Sequence, residues 1–161
     1  MKTVGSTGWR HSSDVGMGSI PRVTNAASST PPLQVLVYSD DVNVRQQVMF
    51  ALGRRVHPDL PELEYVEVAT EAVVLQQMDA GRIDLAILDG EAVPAGGMGI
   101  AKQLKDEIFR CPPILVLTGR PQDAWLATWS RAEAAVSHPI DPLQLAETVA
   151  RLLRSRAPAT R

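Results

Sequence analysis

A single cysteine, Cys111, rules out an internal disulfide and argues against the stapled scaffold of small secreted domains. A reducing cytoplasm is therefore the expected compartment. No apolar run approaches the roughly 18 residues of a membrane span, and Lys2 is followed by no apolar segment of the signal-peptide kind. A basic surplus is also missing. With a formal net charge of -2, the chain has no broad cationic face to supply nonspecific affinity for a phosphate backbone, so direct nucleic-acid binding is not expected. Aromatic residues make up only 4% of the chain, which makes the position of each tryptophan informative. What remains is a 161-residue chain, long enough for one domain with a proper core and too short for two.

Two compositional regions follow one another. Residues 1–32 are rich in Gly, Ser and Thr, show no period of 2 or 3.6, and end in "SSTPP". Lys2, Arg10 and Arg22 outnumber Asp14 there, so a basic extension precedes an acidic body. Disorder in isolation and ordering on a partner are both compatible with this composition, and an over-extended gene start is a third reading. The domain is expected over 33–156, with a short tail at 157–161.

From Leu33 onward, short apolar runs alternate with amphipathic segments. "LQVLVYSD", "LEYVEVA", Ile83 to Leu88, "PPILVLT" and "AAVSH" read as strands, the last one weak. Val42 to Arg55, Thr70 to Ala80, Ile100 to Phe109, Pro121 to Ala132 and Pro142 to Arg156 read as helices. Thr70 and Asp141 suit N-caps, Pro142 a first helical turn, and Gly81 a stop. Arg151, Arg154 and Arg156 crowd the last helix end, where cations complement the dipole. Five strands alternating with five helices predict an α/β domain, doubly wound around a parallel sheet of order 2-1-3-4-5. In that order, ligands gather beside strands one and three at their carboxyl ends, where Asp40 or Asp41 faces Asp89. Carboxylates that converge repel one another unless a proton or cation intervenes, and Mg²⁺ is a natural neutraliser.

In this order of residues the chain resembles the response-regulator receiver domain, the phosphoacceptor module of two-component signalling, with a flavodoxin-like fold. The resemblance runs from Leu33 to about Arg154, roughly three quarters of the chain. It implies that Asp89 is the phosphoacceptor and that Mg²⁺ is held by Asp40, Asp89 and the main-chain carbonyl of Glu91. The acidic pair at the end of strand one aligns as Ser39-Asp40 or Asp40-Asp41; the spacing to Val44 and Arg45 favours the first, which makes one acid a serine. Thr118 takes the place of the hydroxyl that bonds the phosphoryl group. His138, before Pro139, stands in the position of the family's lysine, and the peptide before that proline is usually cis in the family.

The departures bear on function. An imidazole in place of a permanent cation weakens charge compensation for an aspartyl phosphate. Ala135 occupies the place of the family's switching aromatic ring. "PAGGMG" makes the loop after Asp89 longer than the family's, and Gly96, Gly97 and Gly99 are expected to supply positive φ in a mobile connection. The glycines follow neither G-x-G-x-x-G nor Gly-Lys-Ser/Thr, so no nucleotide site is expected. His11 and His57 have no metal-ligand spacing, and no Ser-His-Asp or Cys-His arrangement suggests an independent enzyme.

The chain closes a few residues after its last helix, so the expected output is contact with another protein. The resemblance places this contact on helix four, strand five and helix five. Trp125 and Trp129, four apart on helix four, share a face and suit an interface centre. Two roles follow. One is a single-domain regulator phosphorylated by a histidine kinase; the other is a constitutive adaptor or accessory subunit of a large multisubunit complex, with the N-terminal extension as a tether.

Overall fold

The computed structural model describes residues 30–156. The expectations for residues 1–29 and 157–161, including the basic extension, lie outside the described residues. Five strands, β1 (Leu33–Tyr38), β2 (Leu63–Val68), β3 (Leu85–Asp89), β4 (Ile114–Thr118) and β5 (Ala134–Ser137), form one parallel sheet in the order β2-β1-β3-β4-β5. The helices are α1 (Val42–Leu52), α2 (Glu71–Asp79), α3 (Gly97–Glu107), α4 (Trp125–Ser130) and α5 (Pro142–Ser155). This is the doubly wound, parallel architecture expected from the sequence.

Continuous apolar runs make the centre of the sheet. Every residue of β3 and β4 is buried, as a strand covered by helices on both faces requires. One core contains Val35, Val37, Leu85 and Leu117 with Val48 and Leu52 of α1 and Leu145, Val149 and Leu152 of α5. The other contains Leu36, Ala86, Leu88 and Val116 with Val74 of α2 and Ile100 and Leu104 of α3. Alternate residues of each central strand thus serve opposite cores, and each fully buried Leu, Ile or Val contributes about 1.5–3 kcal/mol of hydrophobic stabilisation.

Local rules set the helix ends. Asp41 caps α1 by accepting the Asn43 N–H, and Asp141 caps α5 by accepting those of Leu143 and Gln144, with Pro142 in the first turn. Thr70 occupies the N-cap of α2, but its hydroxyl makes no capping bond. The first helix stops at Leu52, short of the expected Arg55, because Gly53 turns to φ 67°. The fourth helix is also shorter than expected: Pro121–Asp123 forms a 3₁₀ turn and the α-helix covers only Trp125–Ser130. Two of the arginines near the end of α5 also have acidic side-chain partners. Arg154 reaches Asp59 at 3.1 Å, and Arg156 lies 3.7 Å from Asp84. No helix among the described residues is long and apolar enough to cross a membrane.

Candidate functional site

β1 and β3 are neighbours whose connections leave the sheet in opposite directions, so a crevice opens at their carboxyl ends. Asp40, Asp89, Glu91 and His138 line this cleft together with Gly119. Asp89 is the last residue of β3 and is only 3% exposed. Both of its oxygens accept hydrogen bonds from the protein. The Ser39 hydroxyl donates to Oδ2 at 2.8 Å, and the Glu91 N–H donates to Oδ1 at 2.9 Å. His138 Nε2 stands 3.6 Å from Oδ1, beyond ordinary hydrogen-bond length.

The residues of both alignments of the acidic pair lie at or beside the cleft. Ser39 is fully buried against Asp89, whereas Asp41, which also lines the cleft, caps α1. The bond from Ser39 to Asp89 is consistent with the Ser39-Asp40 alignment. Asp40 is exposed at the rim, where its Oδ1 accepts the Val93 N–H at 3.2 Å and ties the β1 end to the loop after β3.

Thr118 ends β4 and is 1% exposed, with its Oγ1 lacking any hydrogen-bond partner. A buried hydroxyl left without a partner costs about 1–3 kcal/mol, so this one is a ready partner for an incoming polar group. The Thr118 carbonyl accepts the His138 N–H at 2.8 Å, which carries β5 into the cleft wall, and the His138-Pro139 peptide is cis. Ala135, on β5, packs beside the second core, and no aromatic ring occupies its position.

The loop from Gly90 to Gly96 departs from its expected form. None of Gly96, Gly97 and Gly99 has positive φ, and α3 begins at Gly97 rather than Ile100. Gly96 and Gly97 are needed for close approach instead. A Cβ on Gly97 would lie 2.8 Å from the Asp89 carbonyl oxygen, and one on Gly96 would lie 2.9 Å from that of Gly90. The connection is also tethered: the Tyr38 hydroxyl donates to the Ala95 carbonyl at 2.5 Å, and the Val93-Pro94 peptide is a second cis bond. Burial raises the Tyr38 pKa, and the carboxylates of Asp40, Glu71 and Asp89 raise it further. Sequence reasoning missed Tyr38 because its apolar neighbours on β1 give it no distinguishing signal.

The donor set offers a divalent ion one acid fewer than the resemblance implies. At the position where the resemblance implies an acid there is a neutral hydroxyl, and both Asp89 oxygens already accept protein hydrogen bonds. Among the described residues, no three His, Cys, Asp or Glu side chains come together as a metal site. Asp40, Asp89 and the Glu91 main chain nevertheless meet at one cleft.

Trp125 and Trp129 project from α4 and are 65% and 50% exposed, while Ala127 and Ser130 turn inward. Lys102 of α3 lies over the Trp129 ring at 5.9 Å.

No protein-family model matches the chain. An uncharacterized response regulatory protein of Mycobacterium tuberculosis is 69% identical over 129 residues, covering 80% of this chain and 97% of that protein. Solved receiver structures are more distant in sequence. The receiver domain of the Francisella response regulator 1452 matches with a TM-score of 0.64 at 15% identity, covering 76% of this chain and 97% of that one. A chemotaxis response regulator of Vibrio cholerae matches with a TM-score of 0.61 at 23% identity, covering 76% and 99%.

Proposed function

This chain belongs to the response-regulator family, and we propose that it is a single-domain regulator whose output is contact with another protein. The observation that carries this reading is the exposed tryptophan pair on α4, in a chain with only 4% aromatic residues. Tryptophan is enriched among residues that dominate binding energy, and its burial in a complex removes a large apolar surface from water. α4 is followed in the chain by β5, whose end reaches the Asp89 cleft through the bond from His138 N–H to the Thr118 carbonyl. In this reading the surface of α4, β5 and α5 meets the target in the cytoplasm, and residues 1–32 act as a tether. The protein has no independent enzymatic activity.

Asp89 is the input of this module. A histidine kinase, or another phosphodonor, transfers its phosphoryl group to an Asp89 oxygen, and the unpartnered Thr118 hydroxyl bonds the new phosphoryl oxygen. Receiver domains generally bind Mg²⁺ beside the phosphoacceptor; here Asp40, Asp89 and the Glu91 carbonyl are the groups that would approach one. A second reading, a constitutive adaptor or accessory subunit of a large complex, is favoured by a different observation. Ser39 and the Glu91 N–H already satisfy Asp89, and His138 supplies no permanent cation.

Incubation with acetyl phosphate and Mg²⁺ followed by intact-mass measurement separates these readings. A phosphate adduct that disappears in Asp89→Asn and persists in Asp106→Asn is expected for the regulator. Absence of an adduct under conditions that label another receiver selects the adaptor. In either case, Trp125→Ala with Trp129→Ala is expected to weaken retention of the cellular partner by about tenfold or more. Unchanged retention would remove α4 from the interface, and unchanged retention after deletion of residues 1–32 would remove the tether.

A further inference from the structure

Ser39 does more than leave an acid out. Its hydroxyl accepts the Asp41 N–H at 3.0 Å and donates its own proton to Asp89 Oδ2 at 2.8 Å, and the residue is fully buried. A carboxylate at this position would lie beside another buried carboxylate, and like charges at such range require a proton or a cation between them. The serine removes one of those charges and supplies a hydrogen bond to the other.

The neighbouring acids line the same cleft, each with a contact of its own. Asp41 caps α1, and one Asp40 oxygen accepts the Val93 N–H. The Glu91 side chain lies against Gly119, its carboxyl carbon 2.7 Å from where a Cβ on that glycine would stand.

We propose that Ser39 sets the metal requirement of this cleft: it supplies Asp89 with a neutral hydrogen-bond donor where a second acid would call for a divalent cation, so the free protein binds Mg²⁺ at least about tenfold more weakly than the same chain carrying S39D. The proposal rests on the receiver reading of the Asp89 cleft and does not depend on phosphorylation.

Thermal unfolding of the full chain in EDTA and in millimolar Mg²⁺, with no phosphodonor present, tests it. The wild type is expected to shift by no more than about 1 °C between the two buffers, since ligand that binds weakly adds little stability. S39D is expected to melt about 5 °C or more below the wild type in EDTA and to recover much of that loss in Mg²⁺. S39A separates the hydrogen bond from the charge: it should lose stability equally in both buffers and gain no metal response. A wild-type Mg²⁺ shift as large as that of S39D, or an S39D protein that folds but does not respond to Mg²⁺, overturns the proposal.

If S39D fails to fold, Mn²⁺ titration of the wild type by electron paramagnetic resonance decides, with Asp89→Asn as the blank. Saturation below the millimolar range that is lost in Asp89→Asn overturns the proposal; no Asp89-dependent saturation below that range supports it. Since every readout omits the phosphodonor, a failed phosphorylation assay leaves these outcomes unchanged.

Discussion

Asp84 and Asp89 bracket the same strand and are almost equally buried, 2% and 3% exposed, yet they differ in the partners that hold them. At the amino end of β3, Asp84 accepts the Gln34 N–H at 2.8 Å and pairs with Arg156, a cation that never titrates in the physiological range. At the carboxyl end, Asp89 is held by a hydroxyl and a backbone N–H, with an imidazole nearby. A fixed cation makes Asp84 a structural fastener between β1, β3 and the end of α5. Neutral donors, an adjacent cleft and a spare hydroxyl leave Asp89 able to exchange partners. Burial alone does not distinguish a structural acid from a chemical one; the charge of its partners does.

The largest expected effect tests this difference directly. Asp84→Asn removes one half of a buried ion pair and is expected to lower unfolding stability by about 3 kcal/mol in urea denaturation. Asp89→Asn, the same change five residues along, should cost no more than about 1 kcal/mol, because neutral donors can bond an amide oxygen. Equal losses would erase the contrast.

The backbone under Asp89 should be less forgiving than its side chain. Gly97→Ala drives a methyl group into the Asp89 and Leu88 main chain and is expected to cost about 2 kcal/mol by the same measurement. Gly99→Ala, with no heavy atom near its missing Cβ, should be neutral or stabilising.

The smallest effect uses the two tyrosines as paired reporters. Burial pushes the Tyr65 pKa up to about 12, while Tyr38 is raised by burial and additionally by Asp40, Glu71 and Asp89. Ultraviolet titration of Asp89→Asn should therefore show Tyr38 ionising at lower pH and Tyr65 unmoved. Tyr65 also makes stability fall as pH rises from its ordinary 10 toward 12, because the unfolded chain releases that proton first. Tyr65→Phe should flatten this alkaline slope.

The sheet order was legible because each strand is a short apolar run and each crossover carries a helical pattern. The acids at the strand ends were legible for the same reason: a charged residue that terminates a buried strand has few places to go. Helix boundaries around glycine were less so. Gly97 looked like a hinge, whereas it is a contact point whose need for a missing Cβ arises only when α3 lies against β3. Ser39 could be aligned as a missing acid, but its bond to Asp89 spans fifty residues and depends on the pairing of β1 with β3. The Asp84–Arg156 pair is similarly long-range, and no local spacing announces it.

The brevity of α4 has a thermodynamic consequence. A segment of six helical residues closes few internal hydrogen bonds and recovers little of its nucleation cost, so its order depends on what packs against it. Its two indoles face outward, leaving Ala127 and Ser130 to anchor it. Amide exchange should be faster here than in β3 or α5. Any ligand that covers this face will freeze local fluctuation as it binds, coupling recognition to the entropy of a single turn and a half of helix.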